Sequence, residues 1–284
     1  MDDDAYIDFW TAFQIASGST QKSIRERTYT LRAMLRRTDK TLMTVTRHDL
    51  IRDLARPGIK ASTRAHFKSF LYGFFTWMQD EEFRLDNPAA KLPKVRVPKS
   101  EPDPVTTEDI EHVLHSGIYR RTRLWVLLYS YQGFRAAEIA AVSGSSIDWS
   151  RRRILSKDAK AGKEVWRPIH PLVWEHLETW RTDGWLFASP TRPGEHVTAS
   201  NVSNVLSKAF KRAGVAHRPH QMRAWFATEL IDAGASTTVV AAAMRHSDEQ
   251  TVQKYARVRD STIEAAMLQL PLVRVPEKSG RRVA

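Results

Sequence analysis

The chain has 284 residues, 42% of them hydrophobic and 27% charged, which is ordinary for a globular protein and long enough for two domains. It has no cysteine, so disulfides and cysteine-ligated metals are excluded. A net charge of +12 favours polyanionic partners, although solubility alone also accounts for such an excess.

The N-terminus, Met1-Asp2-Asp3-Asp4, is acidic and unlike a secretory signal. No apolar run approaches the ~18 residues that span a bilayer. A cytoplasmic protein without a membrane partner is expected. Residues 1–95 carry a net +4 and residues 96–284 a net +8, so both halves are basic.

Taken in chain order, residues 1–90 read as helices. A short helix is expected over 5–16 and a longer one over 21–37, where Ile24, Thr28, Leu31 and Leu35 recur at helical spacing. Beside that stripe run Lys22, Arg25, Tyr29, Arg32 and Arg36; of these Lys22, Arg25, Arg32 and Arg36, with Arg64 and Lys68 of the fourth helix, are candidate DNA-binding residues whose bland alternative is a solvated basic surface. A third helix starts after Thr46 and ends before Pro57-Gly58. A fourth spans 62–80, with Phe67, Phe70, Leu71, Phe74, Phe75 and Met78 as its core stripe and Arg64 and Lys68 off it, one turn apart. Asn87-Pro88 closes the domain. Residues 91–104 hold four prolines and four basic residues, which suit neither a helix nor a central strand, and read as a linker.

The second domain, 105–260, reads as mixed. Thr106 and Asp109 have capping-box spacing before a helix at Thr107–Leu114. An apolar helix follows over 120–131. Residues 152–157 and 164–169 read as a hairpin joined by Asp158 to Lys163. Helices are expected near 171–180, 200–213, 220–233, 236–244 and 248–256. In a tail over 261–284, Ile263, Ala266, Met267 and Leu270 share one helical face, Pro271 ends it, and Leu272-Val273-Arg274-Val275 reads as a strand.

Six polar residues stand out in this domain: Arg135, Lys160, His220, Arg223, His246 and Tyr255. Arg135 follows Gln132-Gly133-Phe134 at a turn, and Glu138 lies one helical turn beyond it, placed to orient its guanidinium. His220 and Arg223 are three apart after Pro219, on the first turn of a helix whose N-terminus suits a phosphate. Each piece alone reads as readily as an ordinary surface pair or packing residue. No Asp/Glu/His cluster with metal-ligand spacing occurs, and neither metal nor other cofactor is expected.

Arginine with glutamate three residues on, lysine in a hairpin turn, His-x-x-Arg, histidine, then tyrosine nine residues later: in this order the motifs resemble the tyrosine recombinase (phage integrase) family over residues 105–256. Phe226-Ala227-Thr228, Gly234 and Arg245-His246-Ser247 fit its framework, and residues 1–90 are more weakly similar to its helical core-binding domain. The chain departs from the pattern at Arg245, where glycine is usual, at Phe134, where leucine is common, and at Ala161, where small hydroxyl residues are frequent.

The resemblance implies a two-domain DNA clamp, mainly α with a small β-hairpin or sheet: a helical core-binding domain joined to an α+β catalytic domain. It implies a site-specific recombinase that works through a 3′-phosphotyrosyl intermediate on Tyr255, with double-stranded DNA carrying recombination sites as partner. Four protomers are expected on DNA, and an accessory directionality protein is compatible with it. The hairpin lysine is best matched by Lys160, with Lys157 and Lys163 within a register shift. With core-binding helices beginning almost at once, a compact phage integrase without an arm-binding domain is the preferred reading. Xer-like resolution of replicon dimers, a topoisomerase IB-like enzyme and a non-catalytic DNA-binding protein are the alternatives. The tail either packs in its own domain or docks on a neighbour.

Overall fold

The computed structural model describes residues 2–98, 102–157, 164–180 and 182–245. The chain divides into two units, Met1–Ser100 and Glu101–Ala284. The fold is mainly helical, with one small antiparallel sheet.

Unit 1 has four helices: α1 (Asp3–Ala16), α2 (Gln21–Thr38), α3 (Arg47–Ala55) and α4 (Ala61–Asp80). Side chains of Asp2, Thr20 and Thr46 accept from backbone N–H groups at the starts of α1, α2 and α3, meeting donors that the helix itself leaves unpaired. The α4 stripe delivers Leu71, Phe74, Phe75 and Met78 to the core, while Phe67 and Phe70 are partly buried against it. Leu31 and Met34 of α2 meet the same core. Arg84 is buried and donates to the carbonyls of Leu42 (2.5 Å) and Val45 (2.8 Å), tying the loop before α3 to the segment after α4.

Unit 2 is built around α6 (Arg120–Gln132). Leu124, Trp125, Val126, Leu127, Leu128 and Tyr129 are all buried in succession, so this helix is enclosed on every side rather than on one face. Around it lie α5 (Thr107–His115), α8 (Pro171–Leu177), α9 (Ala199–Arg212) and α10 (Gln221–Asp232), with α11 (Thr237–Met244) packed on α10 through a small cluster of Ala227, Val240, Ala241 and Met244. Thr106 and Asp109 form the capping box of α5.

The sheet has order β1-β2-β3, from β1 (Ile147–Asp148), β2 (Arg153–Lys157) and β3 (Glu164–Pro168). The β2–β3 register pairs Arg153 with Pro168 and Lys157 with Glu164. The two-residue β1 and the five-residue α7 (Ala136–Ala140) are additions to the sequence-based expectation, both too short to leave a periodic signal. Among the described residues no helix is long and apolar enough to cross a membrane. The turn 158–163, the helix expected over 248–256 and the tail over 261–284 lie outside the described residues.

Candidate active site

Gly133 organises the site. It ends α6 in the left-handed conformation (φ 57°), which a glycine adopts without a Cβ penalty. A Cβ there would also lie 2.6 Å from the Phe226 ring. The sharp exit turns the Gly133 carbonyl toward α10 and the end of α11, where it accepts from Arg223 and, at 2.7 Å, from Arg245.

Two residues later Arg135 caps the start of α7, and Glu138 sits one turn on with its side chain only 8% exposed. Glu138 Oε2 accepts from the Arg135 backbone N–H at 2.6 Å and from Arg245 Nη2 at 2.7 Å. Oε1 lies 3.5 Å from Arg135 Nη1 and 3.4 Å from the Ser156 hydroxyl of β2, while Arg223 Nη1 is 4.0 Å from Oε2. The expected Arg135–Glu138 pair is therefore part of a larger array. Arg135 keeps its side chain 40% exposed, whereas Arg223 is buried.

His220 stands immediately before α10, and Arg223 follows on its first turn. Arg223 Nη2 donates to the Met244 carbonyl at 3.0 Å. Gln221 fixes this corner: its side-chain oxygen accepts from the Arg218 N–H, and its nitrogen donates to the Asp103 carbonyl at 2.6 Å. A cleft of about 640 Å³ opens beside His220, between Tyr129, Ser203, Lys211 and His217. Partial burial, reinforced by the nearby Arg218 charge, holds His220 below the usual histidine range, so it is mostly neutral at pH 7.

Two further arginines had no place in the sequence-based set. Arg167 of β3 donates to the carbonyls of Ala242 and Ala243, and with Arg223 on Met244 it satisfies three carbonyls at the C-terminal end of α11. Cations at a helix C-terminus also oppose its dipole favourably. Burial lowers the Arg167 pKa. Arg245 is in the left-handed region (φ 55°), which accounts for the usual preference for glycine at this position. Burial, opposed by Glu138 and assisted by Arg223, Arg167 and Arg135, pushes its pKa down to about 9. The sequence signal for Arg245 was the departure from glycine itself. Arg167 left none, since an arginine alternating along a strand is commonplace.

On unit 1, Lys22, Arg25, Arg32 and Arg36 are exposed along α2. Arg32 is engaged by Asp4 at 2.8 Å, and Lys22 faces Glu26 at 3.8 Å. Arg64 is half-buried and donates through Nε to the Leu54 carbonyl at 2.8 Å, capping α3; Lys68 is also half-buried. Lys160, His246 and Tyr255 lie outside the described residues. Among the described residues, no group of three or more His, Asp or Glu side chains could hold a metal ion.

Comparison with known proteins identifies the family of the chain. The profile of the phage integrase family covers residues 105–262. The tyrosine recombinase XerA of Pyrococcus furiosus is 28% identical over 268 residues, spanning 88% of each chain. Among solved structures, the integrase of mycobacterium phage Brujita is 28% identical, with 91% of this chain and 96% of that one aligned at a TM-score of 0.51. A lambda integrase (75–356) dimer bound to a COC′ core site is 17% identical, covers 92% and 97% of the two chains and shares the fold at a TM-score of 0.74. With a family match over more than half its length, the chain belongs to the phage integrase family and is a tyrosine recombinase, a DNA strand transferase of site-specific recombination.

Proposed function

We propose that this recombinase cuts and rejoins double-stranded DNA with Tyr255 as nucleophile. The observation that carries the reading is that Arg135 and Arg223, 88 positions apart in the chain, meet at one carboxylate, Glu138, with His220 one turn before Arg223. In-line attack on a phosphodiester piles negative charge on the non-bridging oxygens. Two planar guanidinium forks meet that charge. Each such donor is typically worth ~10²–10³ in rate. His246 adds a third donor.

A phenol, with pKa about 10, is mostly neutral at pH 7 and must lose its proton as it attacks. His220, held neutral, takes that proton. The 5′-oxygen departs and is protonated by Lys160, with Lys157 and Lys163 as the alternatives in the same hairpin. General acid–base help of this kind gives ~10²–10⁴. The products are a 3′-phosphotyrosyl ester and a 5′-hydroxyl. Because the ester keeps the bond energy, rejoining to another strand needs no ATP.

Residues 1–90 then form the core-type DNA-binding domain, with Lys22, Arg25, Arg32, Arg36 and Lys68 toward the phosphates, 91–104 the linker and 105–260 the catalytic domain. Exchange between two duplexes requires four cleavable strands and hence four protomers on DNA. For the tail 261–284 the reading is docking on a neighbour, in which case its deletion should weaken tetrameric synapsis more than half-site binding.

The biological role proposed is phage integration and excision in a bacterial cytoplasm, supported by the similarity to the Brujita integrase over nearly the whole of both chains. Xer-like resolution of dimeric replicons is the second reading, favoured by the extent of the XerA similarity. Sequencing the DNA trapped on the protein with nicked suicide substrates tests both. Phage–host attachment junctions support integration, replicon-dimer sites support resolution, and no trapped DNA refutes the phosphotyrosyl mechanism.

A further inference from the structure

Arg245 is an expensive residue to place where it is. It holds a left-handed backbone conformation that non-glycine residues rarely adopt. It is 9% exposed, and its Nε and Nη1 make no hydrogen bond among the described residues. Glycine would suit the left-handed turn and would bury no charge. Stability of the α11 terminus therefore gives no reason for an arginine.

The contacts it does make supply one. Nη2 donates both to the Gly133 carbonyl and to Glu138 Oε2, each at 2.7 Å, and the guanidinium stacks 5.1 Å from the Phe134 ring. Phe134, the residue before Arg135, is the surface on which the Arg245 guanidinium rests. Among the described residues, Arg245 is thus the charged side chain closest to Glu138, nearer than Arg135 (3.5 Å) or Arg223 (4.0 Å).

We propose that Arg245 is a positioning residue for DNA cleavage: by neutralising Glu138 and pinning it to the Gly133 turn, it keeps Arg135 and Arg223 from collapsing onto that carboxylate. A carboxylate flanked by only two guanidiniums would draw both into close ion pairs, at hydrogen-bond distances near 2.8 Å. Those same forks must reach phosphate oxygens. With Arg245 holding Oε2, Glu138 orients Arg135 through its backbone N–H and leaves its guanidinium half-exposed. The action is indirect, since Arg245 is enclosed and reaches the phosphate only through the residues it arranges.

This inference rests on the proposed phosphotyrosyl chemistry, and the experiment separates the two. Single-turnover adduct formation and half-site affinity are measured for the wild type, Arg245→Gly, Glu138→Gln and the double variant. Absence of adduct in the wild type would sink the chemistry itself. Given a wild-type adduct, Arg245→Gly, assayed below its own melting transition, should bind the half-site within twofold and cleave ten- to a hundredfold more slowly. In the Glu138→Gln background the same substitution should change cleavage less than threefold, because the carboxylate it manages is gone. Wild-type cleavage by Arg245→Gly, an affinity loss that matches the loss in rate, or effects that multiply in the double variant would each overturn the proposal. If Arg245→Gly does not fold, Arg245→Lys decides: the retained charge should keep cleavage within tenfold of wild type, and a folded Lys variant without cleavage would contradict a positioning role.

Discussion

Gly133→Ala perturbs the turn on which the whole array depends, and its cost follows from two separate contacts. The first is conformational: at φ 57° an alanine pays about 1–2 kcal/mol that glycine does not. The second is steric. The new Cβ would lie 2.6 and 2.7 Å from two carbons of the Phe226 ring, so the ring or the turn must shift, at about 1–3 kcal/mol. Together these give about 3 kcal/mol, and in a unit of this size a drop in Tm of about 6–12 °C. Because the Gly133 carbonyl accepts from both Arg223 and Arg245, the shift should also disturb the arginines, so cleavage is expected to fall at least tenfold even well below the melting temperature. Thermal unfolding followed by circular dichroism and single-turnover cleavage measure the two effects. Phe226→Leu in the same chain should recover the steric part of the Tm loss but not the conformational part. Unchanged melting and cleavage in Gly133→Ala, or a Phe226→Leu double variant no more stable than Gly133→Ala alone, would refute the reasoning.

Three further outcomes are expected. If Lys160 is the general acid, Lys160→Ala should regain cleavage on a substrate with a 5′-bridging sulfur, a leaving group that needs little protonation; rescue of Lys157→Ala or Lys163→Ala instead would move the assignment. As a base, His220 acts in its neutral form, so the acidic limb of the cleavage rate should lie below pH 6.5, and Arg218→Ala, which removes one cause of the lowered pKa, should move that limb upward; a limb above pH 6.5 in the wild type counts against the role. On α2, Arg36→Ala should flatten the log–log salt dependence of DNA binding by about one unit, and Arg32→Ala by less, since Asp4 already engages Arg32; equal slopes in all three proteins would leave this face a solvated surface.

Much of the fold was legible because its helices carry strong local signals. The Phe/Leu/Met stripe of α4, the Thr106–Asp109 capping box and the proline-rich break before unit 2 each have a physical cause contained within a few residues. Arg135, Glu138, His220 and Arg223 were legible only together, through the order of their motifs along the chain, since each pair alone reads as readily as ordinary surface residues. What escaped was long-range. Arg245 reaches Gly133 and Glu138 across more than 100 positions, and Arg167 reaches the end of α11 across 75, through hydrogen bonds that leave no periodicity. Arg64 illustrates the reverse error in reading a helical face. Its position off the core stripe of α4 suggests an outward-facing cation, yet the neighbouring end of α3 supplies a carbonyl that draws it inward. Charge spacing along one helix does not reveal which charges a second helix will engage.

The central claim concerns one bond. Incubating the protein with a nicked suicide substrate, digesting it and analysing the peptides by mass spectrometry identifies the residue that carries the nucleotide. The account predicts a 3′-phosphate ester on Tyr255 in the wild type and, in Tyr255→Phe, unchanged DNA binding with no covalent product. An adduct on another residue, or one that persists in Tyr255→Phe, would contradict it.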